Sequence, residues 1–141
     1  MWSPPNWEVP APETLPEPAN RFMSMRPITG GLGSFGQRRV WLHESRELVF
    51  GTPLTPFMRA AIHADLANPF SNSGDHGLAY INSDVTLYLH RFPLGEWIGM
   101  EVVNHQASDG IAIGEVVLYD RSGAIGTSSV CSLAQARERV R

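Results

Sequence analysis

From Ala79 to Gln135 the chain offers four strand candidates in succession, 79–91, 96–105, 110–120 and 124–135, separated only by "FPLG", "QASDG" and "DRSG". Each connector is short and rich in Gly, Pro or Asp, the residues that supply tight-turn geometry, so the segment reads as an antiparallel meander. Two further candidates precede it. "NRFMSMRPI" gives a short first strand and "RRVWLHESREL" alternates Val40 and Leu42 against Trp41 and His43. The "GGLGSFG" between them lacks the Lys-Ser/Thr ending and strand-to-helix context of a phosphate loop and is read as a hairpin turn.

One convincing helix interrupts this series, "PLTPFMRAAIHADLANPF". Thr55 is a good N-cap, Pro56 fits the first helical position, and Asn68-Pro69 is the expected stop. Phe57, Ala61 and Ala64 recur at helical spacing with Met58, Ile62 and Leu66 alongside, so the helix is apolar over much of its circumference and must be wrapped. His63 and Asp65 on it read as satisfied or solvent-facing polar residues, and "SNSGDHG" beyond it as a loop. About six strands around one helix make an α+β architecture, not an alternating one.

A chain of 141 residues, 43% of them hydrophobic, is the size of one domain with one core. Residues 1–19 stand apart as an extended linker or tail holding six of the eleven prolines, with the domain at 20–141. Trp2 and Trp7 in that tail read as anchors laid across another surface, since each would otherwise expose a large ring. Eleven Lys+Arg against 14 Asp+Glu give a net charge of −3 with no long basic run, which argues against nucleic-acid binding. No apolar run approaches the roughly 20 residues that span a bilayer. The N-terminus lacks the basic region and apolar core of a secretory signal. Cys131 stands alone, which excludes an internal disulfide and fits a reducing cytoplasm. One Cys and five scattered His suggest no metal site, and no cofactor is expected.

The strand at 79–91 carries the strongest chemical hint. Asp84 sits among sheet-forming residues although strands select against Asp. By the period of two, Asn82, Asp84, Thr86, Tyr88 and His90 share one face, while Ile81, Val85, Leu87 and Leu89 take the other, against the helix. Asp84 is then either part of a solvated or subunit-facing side, or a reactive group presented to a ligand.

One helix cradled by an antiparallel meander, with "INSDVTLYLHR" and then "GEW", resembles the C-terminal hotdog module of acyl-CoA thioesterases of the double-hotdog, thioesterase-II-like class. The similarity runs from about Arg21 to about Arg137 and includes "GGLG", "TPFMRAAIHADLAN" and "LYDRSGAIGTS"; the proline-rich head is similar to the linker before that module. The resemblance implies an α+β hotdog fold, with the helix wrapped by the sheet. In that class a strand Asp, a hydroxyl residue on the next strand and a Gln on the last strand hold the hydrolytic water. Asp84 matches the Asp, the hydroxyl position falls near His105 and Gln106, and the Gln position falls on Val130.

What this implies is hydrolysis of acyl-CoA or another acyl thioester, weak for the isolated chain, with Asp84 as base and His105 or Gln106 orienting the water. Backbone N–H groups at the Thr55 end of the helix would supply oxyanion donors. Thr55, Phe57, Tyr88, His90 and Val130 are the expected substrate contacts. The alternative is a non-catalytic hotdog subunit that binds an acyl ligand or completes a partner's site. The expected partner is a second copy or a second hotdog module, because an unpaired edge strand invites aggregation.

Overall fold

β-Branched and aromatic residues with period-two alternation carry most of the chain into sheet. The structure, a computed structural model, describes residues 9–16, 23–34 and 36–135. Among these, β1 (Ser24–Thr29) and β2 (Arg39–His43) precede two short helices, α1 (Pro56–Ala64) and α2 (Ala67–Asn72). A two-residue pair follows, β3 (Ser73–Gly74) with β4 (Gly77–Leu78), and then β5 (Tyr80–Leu89), β6 (Ile98–Ser108), β7 (Ile111–Asp120) and β8 (Gly123–Ala134). Six strands form one antiparallel sheet in the order β1-β2-β6-β7-β8-β5, with the helices on one face. This is the α+β hotdog arrangement.

One connection departs from the expected meander. β6, β7 and β8 are consecutive neighbours, but β5 pairs with β8 and occupies an edge instead of lying beside β6. "FPLG" is therefore part of a crossover, not of a hairpin. Asp120, at the end of β7 and 2% exposed, holds it in place. The Arg91 guanidinium donates to both its oxygens at 2.6 and 2.8 Å, and the N–H groups of Leu94 and Ser122 donate at 2.7 and 2.8 Å. Burial pushes the Asp120 carboxyl up, but these donors outweigh it and hold the group below its ordinary range.

The face away from the helices is partly dry. Trp41 and Tyr119 are each 2% exposed and meet edge to face, ring centroids 5.0 Å apart. Gly99 makes room for them: a Cβ there would lie 1.9 Å from the Tyr119 ring. Residues 9–16, with one turn of 3-10 helix at Pro12–Thr14, cover this patch. Trp41 Nε1 donates to Pro10 O at 2.8 Å, Arg26 donates to Pro12 O, and Arg121 pairs with Glu13. The described part of the proline-rich head thus lies on this chain's own sheet. Trp2, Trp7 and residues 17–22 fall outside the described residues.

α1 begins as expected: Thr55 Oγ1 accepts the Met58 N–H at 3.2 Å, and Pro56 leads the first turn. Asn68-Pro69 does not end the helical segment. The break comes at Asp65-Leu66, and α2 contains both residues. Pro69 stands in the first turn of α2, where an N–H would have no intrahelical acceptor, so its absence costs nothing. The helices cover the sheet with one side only. Ala64, Ala67 and Phe70 pack on Val40, Leu42, Ile98, Met100, Val116, Leu118, Ile125 and Val130, while Phe57 stays 53% exposed. No helix among the described residues is long and apolar enough to cross a membrane.

His63 lies on the packed side with no exposed surface, while Asp65 is exposed. His63 Nδ1 is 2.6 Å from Arg59 O, a pure acceptor, so Nδ1 carries the proton and Nε2 is buried bare. Burial pushes its pKa down to about 4 from an ordinary 6.5. The unfolded chain therefore binds a proton that the native chain refuses between these values. The stabilisation is complete above 6.5 and is lost as pH falls towards 4. We expect the urea midpoint to drop from about pH 7 to about pH 4.5, and His63→Leu to show a smaller drop. Identical drops in the two proteins would remove His63 as the cause.

Candidate functional site

Strand alternation fails in β5 at one residue. Asn82 pairs with Ser132 and Asp84 with Cys131, leaving Ser83 unpaired as a β-bulge. The extra residue reverses the phase. Before it Asn82 faces the helices; after it Val85, Leu87 and Leu89 do, and Asp84, Thr86 and Tyr88 turn to the outer face together with Ile81. The expected grouping of Asn82 with Asp84, and of Ile81 with the helix-facing residues, is corrected accordingly. Asp84 serves the bulge directly: Oδ1 accepts the Cys131 N–H at 3.0 Å, while Ser83 Oγ donates to Cys131 O at 3.1 Å.

β6 breaks its ladder in the same way. Val102 pairs with Val116 and Asn104 with Glu115, so Val103 is the extra residue. Ile98, Met100 and Val102 face the helices, and beyond the bulge His105 does, with Asn104 and Gln106 turned outward.

The two reversals, with α2, assemble a buried polar cluster. Asn68 Nδ2 lies 3.1 Å from Tyr80 O and 3.4 Å from Asn82 Oδ1. Asn68 Oδ1 accepts from Asn72 Nδ2 and from Ser132 Oγ, each at 2.8 Å. Asn72 Nδ2 is also 3.2 Å from Ser132 Oγ, and Asn72 Oδ1 is 2.9 Å from His105 Nδ1. Asn68, Asn72 and Ser132 are 2%, 5% and 0% exposed, so the cluster sits in the core and reaches solvent through His105. Spacing i to i+4 puts both asparagines on one side of α2. This spacing is legible in the sequence, but "SNSGDHG" reads there as a loop, whereas α2 runs on through Asn72.

His105 and Asn72 line a cleft of about 590 Å³ at the end of α2, together with Ser71, Arg38, Tyr80 and His76. Arg38, 7% exposed, fastens this end of the fold. Its Nε donates to Ser34 O at 2.7 Å, Nη1 to Phe70 O, and Nη2 to Ser34 O and to Ser73 O, the last at 2.8 Å. It thus satisfies carbonyls at the end of α2 that no helical N–H can reach. Burial lowers its pKa from the ordinary arginine value. Among the described residues no group of three His, Cys, Asp or Glu is placed to hold a metal ion.

The expected site residues do not converge within one chain. Asp84, Cys131, Ile113 and Gln106 form one cross-strand row on the outer face, which separates Asp84 from Gln106 by three strand spacings, about 14 Å. His105 lies on the opposite face. Thr55 is occupied as the cap of α1, and Phe57 is exposed beside it. Tyr88 is exposed on the outer face, His90 is exposed just past β5, and Val130 is packed in the core. Of all these residues, only His105 lines the cleft.

A model of the acyl-CoA thioesterase C-terminal domain family matches residues 3–129. The chain belongs to this family. A search of curated proteins returned no match. Among solved structures this thioesterase domain is similar to a TesB protein of Mycobacterium avium subspecies paratuberculosis, at TM-score 0.70 and 16% identity over 96% of this chain and 55% of that one. A candidate thioesterase from Novosphingobium aromaticivorans gives 0.65 and 22% over 96% and 56%. One from Syntrophus aciditrophicus gives 0.60 and 13% over 88% and 90%. At these identities the likeness is one of fold. The thioesterase domain spans little more than half of the Mycobacterium and Novosphingobium chains and most of the Syntrophus one.

Gly114, the partner of His105 on β7, is what lets α2 come so close to the sheet. A Cβ there would lie 2.4 Å from Ser71 Cβ and 3.3 Å from Val130 Cγ2. Gly114→Ala in the thioesterase domain must push α2 off the sheet, at a cost of roughly 1–3 kcal/mol typical of overpacking. The expected result is a thermal midpoint several degrees lower and a shifted His105 side-chain resonance. An unchanged midpoint would show that α2 is not pressed on the sheet at this point.

Proposed function

We propose that this chain is an acyl-CoA thioester hydrolase whose attacking water is deprotonated by His105 in the cleft beside α2. The observation that carries the reading is the pairing of His105 Nδ1 with buried Asn72 Oδ1 at 2.9 Å, an oriented imidazole in a cleft. Family membership supplies the reaction class. In the reaction, the water oxygen bonds to the thioester carbonyl carbon while His105 Nε2 takes its proton. The tetrahedral oxyanion then collapses, the carbon–sulfur bond breaks, and the leaving thiolate recovers the proton from the imidazolium. The products are a carboxylic acid and a thiol. No carboxylate bonds to His105 among the described residues, which supports a modest rate.

Asp84 keeps a different possibility. Within the chain it is exposed and bound to the Cys131 N–H, so a role as base requires a second module against β5. We propose such a partner, a second copy or another hotdog module. β5 is an edge of the sheet ten residues long, with Ile81, Val85 and Tyr88 exposed on or beside it. Light scattering at about micromolar concentration should then give a dimer or larger; a stable monomer counts against the pairing.

The separation of Asp84, His105 and Gln106 also favours the second reading, a binding subunit without hydrolysis of its own. Hydrolysis of medium- and long-chain acyl-CoA by the wild type, His105→Ala and Asp84→Asn decides among these. The proposal expects His105→Ala to lose about a hundredfold or more in kcat and Asp84→Asn to stay near wild type. Loss confined to Asp84→Asn would move the base to the outer face. No hydrolysis by any form, with or without a partner module, would leave the binding role.

A further inference from the structure

We infer that Asn72 is a positioning residue that fixes His105 as the Nδ1–H tautomer, through a hydrogen-bond direction set at the Tyr80 backbone carbonyl. The inference deepens the proposed hydrolase reading and rests on it for its catalytic meaning. The assignment of the proton itself stands on geometry alone.

The direction of every bond in the relay follows from one atom whose role is fixed. Tyr80 O can only accept, so the end of the Asn68 amide 3.1 Å from it must be the NH2 group. Asn68 Oδ1 is then the atom facing Asn72 and Ser132, and it accepts from both at 2.8 Å. Ser132 gives its single hydroxyl proton to Asn68 Oδ1, which leaves a lone pair for Asn72 Nδ2 at 3.2 Å. Asn72 thus turns its NH2 inward, and its remaining atom, Oδ1, meets His105 Nδ1 at 2.9 Å. An amide oxygen has no proton to give. The proton between them belongs to His105 Nδ1, and in the neutral imidazole Nε2 keeps the lone pair.

Reversing the relay is costly at each step. Turning Asn72 alone would set two amide oxygens 2.8 Å apart in a site 2% and 5% exposed. Turning Asn68 as well would set its oxygen against Tyr80 O. A buried acceptor left without a donor costs about 1–3 kcal/mol, so one sense of the chain dominates. A free neutral imidazole prefers its proton on Nε2, which would leave no base for a water. Asn72 supplies the orienting half of what a buried carboxylate does for a catalytic histidine, without its charge.

The test reads the tautomer directly. Imidazole nitrogen NMR of the full chain at a pH where histidines are neutral, with the His105 signal assigned by His105→Ala, should show the proton on Nδ1. Asn72→Ala removes the acceptor, so His105 should revert towards the Nε2–H form and kcat should fall about a hundredfold with KM little changed. Asn72→Asp keeps an oxygen against Nδ1 and should keep the Nδ1–H form, although its second oxygen faces Asn68 Oδ1 and lowers stability. A structural role alone predicts no such split between the two variants. An Nε2–H signal in the wild type, or an unchanged tautomer in Asn72→Ala, overturns the inference. The tautomer measurement decides it even if a variant folds poorly. Hydrolysis surviving His105→Ala would instead remove His105 as the base of the proposed hydrolase while leaving the relay in place.

Discussion

A strand keeps its side chains on alternate faces only while its ladder is unbroken, and β5 and β6 each break theirs once. The extra residues Ser83 and Val103 stand without partners, and each reverses the facing of everything beyond it. Without the first, Asn82 and Asp84 would share a face. Without the second, Asn104 and Gln106 would point at the helices and His105 away from them. The second reversal brings His105 to the buried cluster of Asn68, Asn72 and Ser132, while the first lets Asn82 join that cluster and Val85, Leu87 and Leu89 still face the helices. The cost of the first bulge is small, since local side chains satisfy the backbone opposite it: Asp84 and Ser83 take the N–H and C=O of Cys131.

Those reversals would place polar groups against an apolar helix if α2 were an ordinary continuation of α1. The small residues of this region change that. Gly114 lets α2 approach β7 until Ser71 nearly touches the sheet, and the break at Asp65-Leu66 frees α2 to take its own direction. Arg38 then ties the end of α2 to Ser34, in the turn between β1 and β2, through carbonyl oxygens alone. Arg38 O also accepts the Val102 N–H at 2.9 Å, next to the second bulge. One residue of the first hairpin therefore steadies both walls of the cleft. Positioning at the site is a matter of backbone approach more than of large side chains.

The sequence revealed the elements better than it revealed their faces. All six strands of the sheet and the start of α1 follow from alternation, turn residues and the Thr55-Pro56 cap, which are local signals. The edge position of β5 does not follow, because it depends on Asp120, about 30 residues away, gripping the Arg91 loop across the sheet end. Pro69 misled for a related reason: a proline stops a helix from within but is tolerated in a first turn, and only the break at Asp65-Leu66 makes Pro69 part of one. Of the candidate site, His105 was legible as a polar residue near the right strand position. Its orientation was not, and neither were its partners, since a bulge leaves no clear mark in a run such as "INSDVTLYL" or "EVVNHQA".

On the hydrolase reading, a neutral relay has a chemical consequence. A carboxylate behind a histidine both selects the tautomer and stabilises the imidazolium that forms when the proton is taken. An asparagine does only the first, so the imidazolium at His105 would have to be short-lived. That suits a substrate whose leaving group departs as an anion, so that the tetrahedral oxyanion collapses quickly. A thiolate is such a group, being far less basic than an alkoxide or an amine anion, and the thioester carbonyl is correspondingly open to attack. An oxygen ester or amide would hold the charge on the histidine longer and would draw less benefit from this site. The chemistry of the buried amides and the reaction class of the family therefore point the same way, towards a weakly assisted attack on an already reactive bond.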